Sequence, residues 1–190
     1  MEAEIQKWVG FLWVGFVVLW LIAAFAQKRT VRRESVASRL SYVSVAVAAA
    51  LLMTYPELGL GLLSKLFVPE TLPYAFLGLG LTIAGFTFAI WARVHLGRNW
   101  SGTVTIKKDH ELIRSGPYGI VRHPIYTGSL LALLGASIVF GSTRWLVGLG
   151  FALLALKLKS LREEQFMTQQ FAAEYTDYRR KVKALIPFVW

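Results

Sequence analysis

The sequence predicts an all-α integral membrane protein of about five transmembrane helices, with a long cytoplasmic loop and a C-terminal helix. Three observations carry this expectation. Of 190 residues, 55% are hydrophobic and only 17% are charged, a balance outside that of an ordinary soluble domain. The apolar residues gather in runs that approach the ~20 residues needed to cross a bilayer. The basic residues stand between those runs, and eighteen of the 21 lysines and arginines fall in three segments. With five spans, these three segments share one face, which the positive-inside rule makes cytoplasmic. The N-terminus is then outside and the C-terminus cytoplasmic.

The first span is the uncharged run Trp8 to Ala26. Glu2 and Glu4 precede it and a basic block follows it, so it reads as a retained helix and not a cleaved leader. The second runs from about Leu40 to Leu63, with Tyr55-Pro56-Glu57 as a candidate break. The third runs from about Leu72 to Ala92. The fourth starts at Pro124 and ends near Phe140, where Gly141-Ser142-Thr143 turns the chain into a fifth, about Arg144 to Leu158. Spans four and five form an antiparallel helical hairpin. Glycines and alanines within spans three and four suit close helix packing. Residues 1–92 thus hold three spans. Residues 93–190 hold a cytoplasmic loop, the hairpin 124–158 and a helix over 159–183, all in one structural domain.

Composition excludes several functions. Cysteine is absent, so disulfide and thiolate chemistry are ruled out. His95, His110 and His123 lack the spacing of a zinc motif, and no metal is expected. A net charge of +10 could suggest nucleic acid. Its placement beside apolar spans points to anionic lipid headgroups instead.

Polar residues with chemical potential gather on the cytoplasmic face. Arg122 and His123 stand before Pro124, in the stretch Gly116-Pro117-Tyr118-Gly119-Ile120-Val121-Arg122-His123-Pro124-Ile125-Tyr126. The residue before proline leaves helical geometry, and proline suits the first helical turn. A helix starting at Pro124 would hold both side chains beside free N–H groups able to receive an anion. In the tail, Met167, Phe171, Tyr175, Tyr178 and Val182 recur at helical spacing. At about 100° per residue, Glu164 falls on that face and Glu163 about a quarter turn away. Glu164 has no basic neighbour one turn along, so it needs a partner from elsewhere. Arg122 in an ion pair, or a cationic ligand, would serve.

These motifs together resemble the isoprenylcysteine carboxyl methyltransferase family. The matching residues are Leu96-Gly97-Arg98-Asn99-Trp100-Ser101, His110-Glu111-Leu112, Gly116-Pro117-Tyr118 and Val121-Arg122-His123-Pro124 with Tyr126 and Gly128. Arg162-Glu163-Glu164, Phe171 with Glu174, Tyr175 and Tyr178, and Pro187 complete them. The resemblance runs from about Arg93 to Pro187, and membrane phospholipid methyltransferases are more distant relatives. It implies methyl transfer from S-adenosylmethionine, leaving S-adenosylhomocysteine, to the carboxylate of a lipophilic or prenylated acceptor drawn from the membrane. It also implies site residues. His110, Glu111 and Leu112 would lie along the cofactor. Tyr118, His123, Pro124 and Tyr126 would surround its methionine or adenosine parts. Glu163 and Glu164 would be the carboxylate pair, with Glu164 inward, and Arg122 would bind the substrate carboxylate. Two alternatives stay open: a phospholipid or other lipid-amine N-methyltransferase, and an NADPH-dependent membrane reductase of sterol type.

Overall fold

The computed structural model describes residues 1–25, 28–58, 61–107 and 111–187. Five helices dominate: α1 (Glu2–Ala24), α2 (Val36–Thr54), α3 (Leu72–Leu96), α4 (Pro124–Phe140) and α5 (Thr143–Lys181). By length and apolarity, α1, α2 and α3 can each cross a membrane, and α4 is a shorter apolar helix. The α2 helix stops at Thr54 because Tyr55 turns extended ahead of Pro56, and short 3-10 turns follow. The second span is therefore broken at Tyr55-Pro56-Glu57 and does not run on to Leu63.

The centre of the molecule is the α3–α4 pair, where glycines let two backbones touch. A Cβ on Gly78 would sit 2.5 Å from the Gly135 carbonyl, and one on Gly128 would sit 2.5 Å from that of Gly85. Only a residue without a side chain permits that approach. Thr82, fully buried at the contact, donates to the Gly78 and Ala132 carbonyls. The α1 helix joins through aromatic rings. Trp13 and Phe16 lie 4.8 and 4.4 Å from Phe86, centroid to centroid. On the other flank α2 packs along α5, with Met53 over Gly148.

The α5 helix continues past the apolar hairpin into the polar tail, as the periodicity predicts. It bends at Ala172, whose φ of 41° and ψ of −113° depart from helical values. A small sheet accompanies the helices. Strand β1 (Thr30–Arg33) pairs antiparallel with β2 (Thr105–Lys107). Sequence periodicity gives a strand near Thr103 to Ile106 but no partner for it. The partner comes from the α1–α2 connection, seventy residues away in sequence. Glu34 secures the join by accepting from Val104 N at 3.2 Å, from Ser38 Oγ at 2.9 Å and from the Tyr42 hydroxyl.

Candidate active site

The site is assembled where α4 begins. Val121 pairs with Lys183 in a parallel bridge. The N–H of Arg122 donates to the Lys183 carbonyl at 2.8 Å, and that of His123 to Ala184 at 3.0 Å. Thr127 Oγ1 donates to the Leu185 carbonyl at 2.7 Å. The segment after α5 therefore closes over the start of α4. The N–H groups of Arg122 and His123 are taken by the tail's carbonyls, so neither is free to receive an anion there.

Behind that closure lies a charge cluster. Glu164 accepts from Arg122 Nε at 3.0 Å and Nη2 at 2.7 Å, and its Oε1 lies 3.1 Å from His123 Nε2. Arg179 Nε approaches its other oxygen at 3.4 Å. Glu163 accepts from the Tyr126 hydroxyl at 2.5 Å, and its Oε2 lies 3.5 Å from His123 Nδ1. The His123 ring is thus held between two carboxylates and stacks on Tyr126, 5.4 Å away and nearly parallel.

These contacts fix the charges. Burial opposes the imidazolium form of His123, but its hydrogen bonds to Glu163 and Glu164 overcome it and raise its pKa. Burial likewise opposes the Glu164 carboxylate, while His123 and Arg122 hold its pKa down at about 2. Glu163 is lowered by the same balance, burial against His123 and Lys159. Burial, with Glu163 nearby, pushes the Tyr118 phenol well above its usual value. The phenol is therefore a neutral donor at any working pH.

Against this cluster opens a cavity of about 300 Å³. Trp100, Val104, Thr105, Glu111, Leu112, Tyr118, Tyr126, Lys159, Glu163, Phe166 and Tyr175 are among the residues lining it. Three polar atoms of its lining are buried without a protein partner: Asn99 Oδ1, Thr105 Oγ1 and the Tyr118 hydroxyl. Unsatisfied buried polar groups are costly. All three residues border the cavity, where a bound water or ligand can complete these atoms.

A family model described as phospholipid methyltransferase matches residues 74–174, from α3 through most of α5. Over its whole length the chain is 30% identical to a probable protein-S-isoprenylcysteine O-methyltransferase of Oryza sativa subsp. indica, which it covers completely. The chain belongs to the isoprenylcysteine carboxyl methyltransferase family. It is 34% identical over 121 residues to the protein-S-isoprenylcysteine O-methyltransferase of Schizosaccharomyces pombe, a match spanning 61% of this chain and 50% of that one. Among solved structures it resembles the eukaryotic intramembrane Ras methyltransferase. The TM-score is 0.54 with 25% identity, covering 78% of this chain and 53% of that one. The protein is an integral membrane methyltransferase.

The methyltransferase cavity brings together most of the residues the motifs single out. Glu111, Leu112, Tyr118, Arg122, His123, Pro124, Tyr126 and Glu163 all border it. His110 lies outside the described residues. Glu164 does not line the cavity, although helical phase put it inward and turned Glu163 away. Glu164 is the more buried of the two and pairs with Arg122, as the phase predicts, while Glu163 borders the cavity, one turn before Met167 and one turn after Lys159, which also line it. Glu164 lies beneath, on Arg122. Inward on the helix therefore means toward Arg122 and not toward the cavity.

Arg122 is also more engaged than expected. Its guanidinium carries five N–H donors. Nε and Nη2 go to Glu164, and Nη1 donates to the Val182 carbonyl at 2.5 Å and the Arg179 carbonyl at 3.3 Å. Four donors are accounted for, and its charge is neutralised. Tyr175 and Tyr178, which read as packing residues, line the cavity as well, and the Tyr178 hydroxyl donates to the Tyr118 carbonyl at 2.6 Å. Asn99, Thr105, Lys159 and Phe166 are absent from the expected site. Asn99 carried a signal, being within the matching run Leu96 to Ser101. The others come into place only through tertiary folding.

Proposed function

We propose that the protein transfers a methyl group from S-adenosylmethionine to the carboxylate of a lipophilic thioether acceptor of the isoprenylcysteine type. The observation that carries this is the pairing of an ionised Glu163 with three unpartnered polar atoms in one aromatic-lined cavity. Its volume falls at the lower end for small-molecule sites. The donor set fits the cofactor. Glu163 and Glu111 suit its cationic amino and sulfonium groups. Asn99, Thr105 and Tyr118 offer hydrogen bonds to its amines and hydroxyls, and Trp100 and Phe166 offer flat apolar surface to its adenine. When bound, the cofactor supplies an electrophilic methyl on a sulfonium; the acceptor oxygen gains the carbon and the sulfur keeps the electron pair.

The chain's own task is then positioning. A carboxylate acceptor is already ionised, so no general base is required. Tyr126 and His123 hold the Glu163 carboxylate in place. The paired strands β1 and β2 bring Thr105 to the cavity wall and screen it from water. The basic face bearing this site is cytoplasmic in our reading, where the soluble cofactor is available.

Calorimetry on the detergent-purified protein tests the reading. S-adenosylhomocysteine should bind saturably and NADPH should not. Glu163→Gln should weaken the homocysteine compound about 10–100-fold, the effect of losing one charge-assisted hydrogen bond. A folded protein that takes up no S-adenosylhomocysteine refutes the assignment. A lipid-amine acceptor is the second reading, favoured by the match to the phospholipid methyltransferase model. Radiolabelled methyl appearing in phosphatidylethanolamine vesicles, and not in an S-farnesylcysteine derivative, would select it.

A further inference from the structure

One basic side chain at the cavity helps hold Glu163 ionised from a distance but, among the described residues, forms no ion pair within the cluster. Lys159 lies one turn before Glu163 on α5 and borders the cavity. It also closes the end of a second, apolar groove of about 340 Å³ between α2 and α5, walled by Val43, Ala46, Val47, Ala50 and Leu156. Its Nζ donates to the Gly102 carbonyl at 2.9 Å. The faces of Tyr126 and Tyr42 lie 5.4 and 5.9 Å from it. Among the described residues no carboxylate comes within ion-pair range of Nζ. An ammonium has three N–H donors, and one is taken.

The other cationic groups at the cavity are committed. Arg122 is neutralised by Glu164, with four of its five donors in use. His123 is held between Glu163 and Glu164. An acceptor with an apolar tail and a terminal carboxylate matches the remaining arrangement. The groove offers apolar surface, and the cation borders both groove and cavity. We propose that Lys159, and not Arg122, receives the carboxylate of the methyl acceptor. The assignment rests on the methyltransferase reading above and deepens it. Methylation turns the carboxylate into a neutral ester, so the product loses its ion pair with Lys159 and is released.

The test uses the full-length protein in detergent and two probes, N-acetyl-S-farnesylcysteine and its carboxamide. Tryptophan fluorescence reports their binding, and S-adenosylhomocysteine is titrated in parallel. Wild type should prefer the carboxylate at least ten-fold. Lys159→Gln keeps a donor for the Gly102 carbonyl and removes only the charge. It should erase the preference while the variant still binds S-adenosylhomocysteine saturably and unfolds in a single cooperative transition. Lys159→Arg should restore most of the preference. A carboxylate preference that survives in Lys159→Gln overturns the proposal, and so does a wild type that binds both probes equally. Loss of S-adenosylhomocysteine binding in wild type would instead refute the methyltransferase reading, independently of the probe comparison.

Discussion

Arg122→Ala removes the guanidinium that makes contacts of 3.0 and 2.7 Å to Glu164. The two side chains are only 10% and 8% exposed. Removing one partner of a buried ion pair costs ~3–5 kcal/mol, because the survivor stays buried without compensation. His123 and Arg179 remain beside Glu164 and partly offset its charge. The expected loss is therefore at the lower end, about 3 kcal/mol. For a chain of 190 residues, a loss of that size lowers the thermal midpoint by roughly 6–12 °C. Detergent-solubilised protein followed by tryptophan fluorescence gives the midpoint. Replacing both residues by leucine supplies the decisive comparison. An apolar pair leaves no orphaned charge, so the double variant should lose markedly less than the sum of Arg122→Leu and Glu164→Leu. Strict additivity, or an Arg122→Ala protein within about 0.5 kcal/mol of wild type, would show that the pair does not fasten the tail to α4.

Two further outcomes are expected. Tyr118→Phe removes a hydroxyl that has no protein partner, so the ligand-free protein should keep or slightly raise its thermal midpoint, while S-adenosylhomocysteine affinity falls several-fold by calorimetry; an affinity equal to wild type would remove Tyr118 from the site. Stability should peak between about pH 4.5 and 6.5: the depressed Glu164 contributes above its ordinary value of 4.5 and loses that contribution as pH falls toward about 2, whereas His123, raised above 6.5, contributes fully below 6.5 and loses its share as pH rises through its folded value. Thermal midpoints across pH 3–9 check this, and a His123→Asn variant that keeps the alkaline decline would show another group to be responsible.

Much of the fold was legible because membrane spans write themselves in composition. Pro124 starting α4 and Gly141 ending it follow from the fixed φ of proline and the left-handed φ of 64° that glycine tolerates. The break after Thr54 is equally local. What escaped was whatever depends on distant segments meeting. The pairing of Thr30–Arg33 with Thr105–Lys107 has no signature in either strand alone. Helical phase identified Glu164 as needing a cation, and Arg122 is that cation. The same phase gave Glu163 no role, yet Glu163 borders the cavity beside Lys159, Phe166 and Met167. Which flank of a helix meets a cavity is decided by the segments that close over it. Lys159 was invisible for a related reason: its distinction is the absence of a carboxylate partner, and a sequence does not display which lysines remain unpaired.

The seal that residues 183–185 place over the start of α4 has a consequence for biosynthesis. Hairpin helices enter the membrane while the chain is still being made, and elongation proceeds at ~5–20 residues per second. The carbonyls that satisfy Arg122, His123 and Thr127 come from Lys183, Ala184 and Leu185, about sixty residues later. Until those residues leave the ribosome, the backbone N–H groups of Arg122 and His123 lack their acceptors and the charge cluster has no roof. Closure of the cavity is thus the last event of maturation, and on the proposed function a nascent chain halted before Lys183 would sit in the bilayer with every span in place and its site unassembled.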